Sequence, residues 1–243
     1  MRIFTLAAAA LMAFSSVAQA DLIIDDFSSG SQTLSAAGGA TTTESVAGTM
    51  IGGERDSLIT NFGSEGRVDL DINNSFSGAG MTLYSESNNT DGKFELVYDG
   101  IDNSSVIDTA SGLGGIDLTQ AGANTGILFT GVASDLGTTL TFTVWSSTTD
   151  SSSYTIPVSS GNITSDVFVG FNQFSGTADF TTVTALRLTG DVALTQNGTD
   201  INLTSIVATT PEPASLAIMG LGGLLAGCGV ARRRRKQASE LAA

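Results

Sequence analysis

Short runs of alternating apolar and polar residues follow one another between residues 21 and 208. The alternation is clearest in 140–145, where Leu140, Phe142 and Val144 point to one face and Thr141, Thr143 and Trp145 point to the other. Because successive side chains of a strand point to opposite faces, we expect Leu140, Phe142 and Val144 in a core. Turn-forming residues separate about eleven such runs, and each predicts a strand. The predicted strands are 21–27, 57–61, 67–73, 81–85, 93–98, 126–129, 138–146, 153–158, 166–171, 183–189 and 202–207.

This pattern predicts an all-β fold, an antiparallel β-sandwich of jelly-roll type formed by one domain over 21–208. No stretch with helical periodicity interrupts the predicted strands, and no proline-rich linker divides them. The segment 88–92 reads Asn-Asn-Thr-Asp-Gly, whose residues tolerate positive φ, so it predicts a hairpin loop between two strands.

Both ends of the chain have a different pattern. Residues 1–20 combine Arg2, an apolar stretch and Ala18-Gln19-Ala20, which predicts a secretory signal peptide. Near the other end, residues 214–231 carry no charge, and as a helix of ~1.5 Å per residue they would span about 27 Å, roughly the ~30 Å of a bilayer core. This predicts one transmembrane helix. Five cations follow it: Arg232, Arg233, Arg234, Arg235 and Lys236. Cations beside a span stay inside, so 21–210 lies outside and 237–243 forms a cytoplasmic tail.

The C-terminal order of proline pair, apolar helix and arginine cluster resembles the PEP-CTERM sorting signal of Gram-negative bacteria. The matching residues are Pro211, Glu212 and Pro213, the helix 214–231 and the cations 232–236, within a predicted signal of 209–236. The resemblance implies export through the inner membrane, anchoring by the helix, and cleavage near the proline pair by an exosortase. The domain would then pass to the cell surface or extracellular matrix. A permanent single-pass anchor is the alternative.

Charge narrows the classes of partner. The whole chain has a net charge of −14, but residues 21–208 contain four cations and twenty-two acids, a net charge of −18. Such a charge disfavours nucleic acid and anionic lipid as ligands. The only cysteine, Cys228, lies in the predicted span, so disulfides cannot stabilise the exported region.

The residue inventory also argues against an enzyme. The chain contains no histidine, which excludes Ser-His-Asp and Cys-His catalysis and any zinc site with histidine ligands. Two carboxylates about 5–10 Å apart can hydrolyse a glycosidic bond. The glutamates of the exported region are Glu44, Glu54, Glu65, Glu86 and Glu95. We interpret them as ordinary solvated acids.

Calcium is the one metal that the sequence favours, because it prefers oxygen ligands. Asp25 and Asp26 are adjacent, and Asp69 and Asp71 share one face of a predicted strand whose other face carries Val68, Leu70 and Ile72. These four aspartates are the candidate ligands, and no other cofactor is predicted. The alternative for Asp69 and Asp71 is a solvent-facing polar stripe.

The exported region has a weaker resemblance to galactose-binding-like β-sandwich domains, in the segments 22–27, 115–119 and 179–188. Segment 52–56, Gly-Gly-Glu-Arg-Asp, resembles one in other secreted proteins with this sorting signal. The sequence therefore predicts a non-enzymatic surface or matrix protein, and a module that binds extracellular polysaccharide is the alternative. The three tyrosines and the single tryptophan, Tyr84, Tyr98, Tyr154 and Trp145, would either stack on sugars or pack in the core.

Overall fold

The computed structural model describes residues 21–75, 77–85, 91–192 and 199–211. Strands make up 54% of this part of the chain, and its helical elements are two short 3-10 turns at Ile51–Gly53 and Phe171–Gln173. The strands are β1 (Leu22–Asp25), β2 (Gln32–Ala37), β3 (Thr41–Ala47), β4 (Glu54–Asn61), β5 (Arg67–Asn74), β6 (Gly78–Ser85), β7 (Gly92–Tyr98), β8 (Gly126–Ser134), β9 (Thr138–Trp145), β10 (Ser151–Val158), β11 (Ser165–Gly170), β12 (Ser175–Gly176), β13 (Ala185–Val192), β14 (Ile201–Leu203) and β15 (Ser205–Thr209).

The strands form two antiparallel sheets. The eight-stranded sheet has the order β1-β15-β8-β14-β6-β5-β2, and β11 also pairs with β8. The seven-stranded sheet has the order β12-β10-β9-β13-β7-β4-β3. The two sheets bury one face each against the other, as in a β-sandwich, which confirms the predicted all-β class. The jelly-roll type remains a prediction.

A single hydrophobic cluster joins the inner faces of both sheets. Leu140, Phe142 and Val144 are all completely buried, as the alternation in β9 predicts. The ring of Phe142 meets Phe129 of the opposite sheet edge to face, with 5.3 Å between the ring centroids. Val68, Leu70 and Ile72 of β5 are likewise in this core.

Several sequence-based boundaries are wrong. β2 and β3 were not predicted, because β3 has hydroxyl side chains on both faces and β2 relies on small buried residues such as Ala36. The predicted strand 202–207 is two strands, β14 and β15, separated at Thr204. The predicted hairpin at 88–92 is also wrong, because β6 and β7 lie in different sheets. Its Asn and Gly residues permit a turn but do not specify which strands pair.

The ends of the sandwich lie side by side. β1 pairs with β15, with Leu22 opposite Ala208, and the hydroxyl of Thr209 donates a hydrogen bond to the carboxylate of Asp21. β15 also pairs with β8 on its other side. The first compact unit of the chain ends at Thr209. Every strand among the described residues therefore precedes the proline pair.

Candidate functional site

A polar groove lies on the open face of the eight-stranded sheet. Its floor includes Thr82 of β6, Asn202 of β14 and Ala133 of β8, which are direct cross-strand neighbours. The residues on either side of them along the strands are buried, so alternation turns these three toward the other face of the sheet. The cavity has a volume of about 570 Å³, within the usual range for sites that bind small molecules. Its lining residues are Ser77, Thr82, Gly131, Ala133, Asn162, Thr164, Asp200, Asn202 and Thr204.

The strand pattern is broken beside this groove, at Gly131 and Thr204. Gly131 adopts φ +66°, and a Cβ built on it would lie only 2.1 Å from Oγ1 of Thr204. Thr204 is the single residue between β14 and β15, and its N–H donates to Thr130 O at 2.9 Å. The N–H of Gly131 points away from the ladder and donates to Oδ1 of Asp166 at 3.0 Å. The pairing of β8 with β11 shifts register here, between the pairs Val132–Ser165 and Phe129–Val167, which is typical of a bulge.

The groove presents hydroxyl, amide and carboxylate groups. Thr82 Oγ1 donates to Asn202 Oδ1 at 2.7 Å, which leaves the amide nitrogen of Asn202 outside that bond. None of the described lining residues is aromatic or cationic. This arrangement suits a neutral, hydroxyl-rich ligand better than an anionic one, because the nearby charges are negative.

Sequence reasoning missed this groove. Thr82 lies between Met81 and Leu83, and Asn202 lies between Ile201 and Leu203, so each is a polar residue between two core residues. That pattern indicates an outward residue, but only the register of β6, β14 and β8 brings them together.

The predicted ligand Asp71 lies in the same row as the groove floor. It is directly opposite Thr82 on one side and Thr33 on the other, and Thr33 Oγ1 donates to Asp71 Oδ1 at 3.0 Å. Asp69 accepts a bond of 2.7 Å from Nε of Arg67. The two aspartates share the face opposite the core, as predicted, but both are buried and not a solvated stripe. Calcium at Asp69 and Asp71 remains a prediction.

The other predicted ligands are elsewhere. Asp25 lies between the sheets, where its Oδ2 accepts bonds from Nη1 of Arg55 at 2.7 Å and from the hydroxyl of Tyr98 at 2.9 Å. Burial and the neighbouring Asp25 raise the pKa of Tyr98 well above its usual value. Asp26 faces a different direction and binds Ser28, whose hydroxyl lowers the pKa of this carboxylate. The structure therefore does not bring Asp25 together with Asp69 and Asp71.

The aromatic side chains are distributed among three environments. Tyr98 is completely buried, which agrees with a role in the core. Tyr154 packs beside Phe174, with 6.0 Å between centroids. Trp145 is half-buried beneath the guanidinium of Arg187, which lies 5.1 Å from its ring centroid. Tyr84 belongs to β6 by its backbone, and its side chain lies outside the described residues. We see no shared stacking platform among the three described rings.

The glutamates that could hydrolyse a glycosidic bond are held in separate contacts. Glu54 accepts backbone hydrogen bonds from Asp102 and Asn103. Glu95 forms ion pairs with Lys93 at 2.5 Å and Arg187 at 3.3 Å. Glu65 is exposed, and Glu86 lies outside the described residues.

The described residues end within the predicted sorting signal. Pro211 is the last of them, and Glu212, Pro213, the helix 214–231 and the cations 232–236 lie outside, as does the signal peptide 1–20. Within the described ranges, no helix is both long and apolar enough to cross a bilayer.

Comparison with protein-family models identifies the C-terminal segment. Residues 209–236 match the PEP-CTERM protein-sorting motif. The chain therefore carries this motif from the last residue of β15 onward.

No curated protein sequence matches the chain. Among solved structures, the family 11 carbohydrate-binding module of a cellulosomal cellulase of Clostridium thermocellum matches 81% of this chain and 98% of its own, with 16% identity and a TM-score of 0.40. An agarase, AgWH50C, matches 79% of this chain over 25% of its own, with 9% identity and a TM-score of 0.43. A family 29 carbohydrate-binding module matches 73% of this chain and 91% of its own, with 15% identity and a TM-score of 0.30. The two carbohydrate-binding modules are β-sandwiches of the galactose-binding-like type.

Proposed function

We propose that this protein is a non-enzymatic component of the bacterial cell surface or extracellular matrix, delivered as an exosortase substrate. The signal peptide 1–20 directs export, and the helix 214–231 holds the chain in the inner membrane. An exosortase then cuts near Pro211, Glu212 and Pro213. The observation that carries this proposal is the PEP-CTERM motif at residues 209–236.

The sandwich supports this order of events. β15 ends at Thr209, two residues before Pro211, and it is paired on both sides, with β1 and β8. Cleavage at the proline pair therefore removes no strand. The domain retains its core and its ladders after release.

The experiment compares the natural chain with a variant in which Pro211 and Pro213 are both replaced by alanine. In the producing bacterium we expect the natural chain to reach the surface fraction in a shortened form. The variant should stay in the membrane at full length, as should the natural chain in a strain that lacks exosortase. Equal shortening in all three cases would contradict the proposal.

A second function is favoured by the groove at Thr82 and Asn202. We propose that it binds a neutral extracellular polysaccharide, because its lining donates and accepts hydrogen bonds without bringing a cation. Hydroxyl-rich ligands are recognised by such convergent polar groups. The absence of a described aromatic ring in the lining predicts weak binding, because ring stacking contributes much of the affinity where it occurs.

Pull-down with insoluble and gel polysaccharides tests this second function. Thr82→Ala removes a hydroxyl of the groove floor, and Thr155→Ala removes an exposed strand hydroxyl on the other sheet as a matched control. We expect retention to fall with the first variant and to persist with the second. Equal retention by both variants would contradict binding in the groove.

A further inference from the structure

The segment 52–56 brings a tight turn against a long connection. Gly52 and Gly53 adopt φ +78° and +84°, and a Cβ on Gly52 would lie 2.5 Å from Cδ2 of Leu113. Leu113 belongs to the β7–β8 segment, residues 99–125, which runs from one sheet to the other. Close approach at this point requires glycine. The start of β4 is thereby packed directly beneath the β7–β8 segment.

Three carboxylates meet at this contact. Oxygens of Glu54, Asp56 and Asp102 all lie within 4.8 Å of one another. Glu54 Oε1 accepts the backbone N–H groups of Asp102 at 3.0 Å and Asn103 at 2.7 Å, so it fixes the loop that carries the third carboxylate. Glu54 and Asp56 are on the same face of β4 because they are two residues apart.

Asp56 is the unusual member. It is completely buried, and neither of its carboxylate oxygens has a hydrogen-bond partner. Burial of an unpaired carboxylate is costly. Burial, with smaller effects from Glu54, Asp99 and Asp102, raises the pKa of Asp56 to about 7. The hydroxyl of Ser45, which lies opposite Asp56 on β3 but forms no hydrogen bond with it by geometry, opposes part of this rise.

Asp99 repeats this situation beside it. It is 2% exposed, its Oδ1 is buried without a partner, and Oδ2 accepts the N–H of Asp108. Burial is also the largest cause that raises its pKa, to about 6. Asp56 of the cluster and Asp99, which is close enough to raise the pKa of Asp56, are therefore two buried carboxylates with unmet acceptor capacity.

Described cationic side chains are engaged elsewhere. Arg55 pairs with Asp25 on the opposite face of β4, and Arg67 pairs with Asp69 on the other sheet. Lys93 and Arg187 both pair with Glu95. None of these four described cations pairs with the cluster, so its negative charge would be neutralised by protons or by a bound cation.

We propose that Glu54, Asp56 and Asp102 bind a divalent cation, with Asp99 beside them, and that this ion ties the β7–β8 segment to β4. Calcium fits best. Its oxygen ligands lie at ~2.3–2.6 Å, so two ligands on opposite sides of the ion are about 4.6–5.2 Å apart, and separations up to 4.8 Å suit it. Zinc fits poorly, because the cluster offers no histidine or cysteine ligand.

Calcium titration of the full chain, purified in detergent and stripped of metal, tests this site by calorimetry and by thermal melting. We expect saturable binding and a higher melting temperature in calcium. Asp102→Asn and Asp56→Asn should each weaken binding by about tenfold or more, since each removes ligand charge. Glu65→Gln is the matched control, because it removes an exposed acid in the turn between β4 and β5. This variant should bind calcium like the natural chain.

One further readout separates a metal site from a purely structural cluster. In chelator, at a pH above the pKa of about 7, Asp56→Asn should melt at a higher temperature than the natural chain, because it removes a buried unpaired charge. Calcium should raise the melting temperature of this variant less than it raises that of the natural chain. Lack of any response of the natural chain up to about 10 mM calcium, above the range typical of extracellular sites, would overturn the proposal. An unchanged calcium response in both Asp56→Asn and Asp102→Asn would also overturn it. If the response were lost in Asp69→Asn instead, the ion would bind at a different site.

Discussion

Replacement of Arg55 by alanine should destabilise the sandwich more than any single change to its surface charges. The guanidinium is completely buried between the sheets. It donates from Nε to Oε1 of Gln32 at 2.8 Å, from Nη1 to Oδ2 of Asp25 at 2.7 Å and from Nη2 to the carbonyl of Gly30. It also lies 5.6 Å from the ring centroid of Phe27.

Arg55→Ala leaves the Asp25 carboxylate buried without its cation. Loss of one partner of a buried ion pair costs about 3–5 kcal/mol of unfolding free energy. For a domain of this size about 1 kcal/mol corresponds to roughly 2–4 °C, so the melting temperature should fall by about 6–20 °C. Urea unfolding followed by the fluorescence of Trp145, the only tryptophan, measures the loss.

Arg67→Ala is the matched control. The Arg67–Asp69 pair has the same separation of 2.7 Å, but the Arg67 side chain is 44% exposed. Solvent screening limits such a pair to about 0–1 kcal/mol. Equal losses for Arg55→Ala and Arg67→Ala would refute the argument that burial, and not distance, decides the contribution of these ion pairs.

Three other changes have defined outcomes. Tyr98→Phe removes the hydroxyl that donates to Asp25 and should lower the unfolding free energy by about 1.5–3 kcal/mol in urea titration, so an unchanged midpoint would contradict the bond. Gly131→Ala places a Cβ against Thr204 at φ +66° and should cost more than about 1 kcal/mol, a result that melting curves test directly. In chelator, the pKa of Asp56 rises on folding from 3.8 to about 7, so the native state holds a proton that the unfolded chain releases. Stability should therefore fall as pH rises from about 4 to 7, and a melting temperature constant over that window would contradict this assignment.

The alternation of residues predicted the core of the central strands but not their partners. Leu140 and Phe142 are buried as expected, since alternation alone decides which face they occupy. β3 was not predicted, because its threonines lie on both faces and give the strand no alternating apolar pattern. The connection at 88–92 was taken for a hairpin because turn residues indicate a change of direction without indicating which sheet the next strand joins.

The acidic residues show a similar limit. Sequence reasoning treats aspartates as exposed, yet Asp25 and Asp56 are both buried. Asp25 is held by Arg55, 30 residues away, and Asp56 meets Asp102 of a distant connection. Such long-range contacts depend on the full topology. The sequence of segment 52–56 showed only a resemblance to other secreted proteins and predicted no role for its residues. In the structure, Arg55 is completely buried, and its neighbours Glu54 and Asp56 belong to the acidic cluster.

The mass of the mature C-terminus, measured on protein from the surface fraction, tests the central claim most directly. Exosortase processing predicts a chain that ends near Pro211, Glu212 and Pro213 and lacks residues 214–243. A surface protein that retains the whole sequence through Ala243 would contradict processing and indicate a permanent anchor.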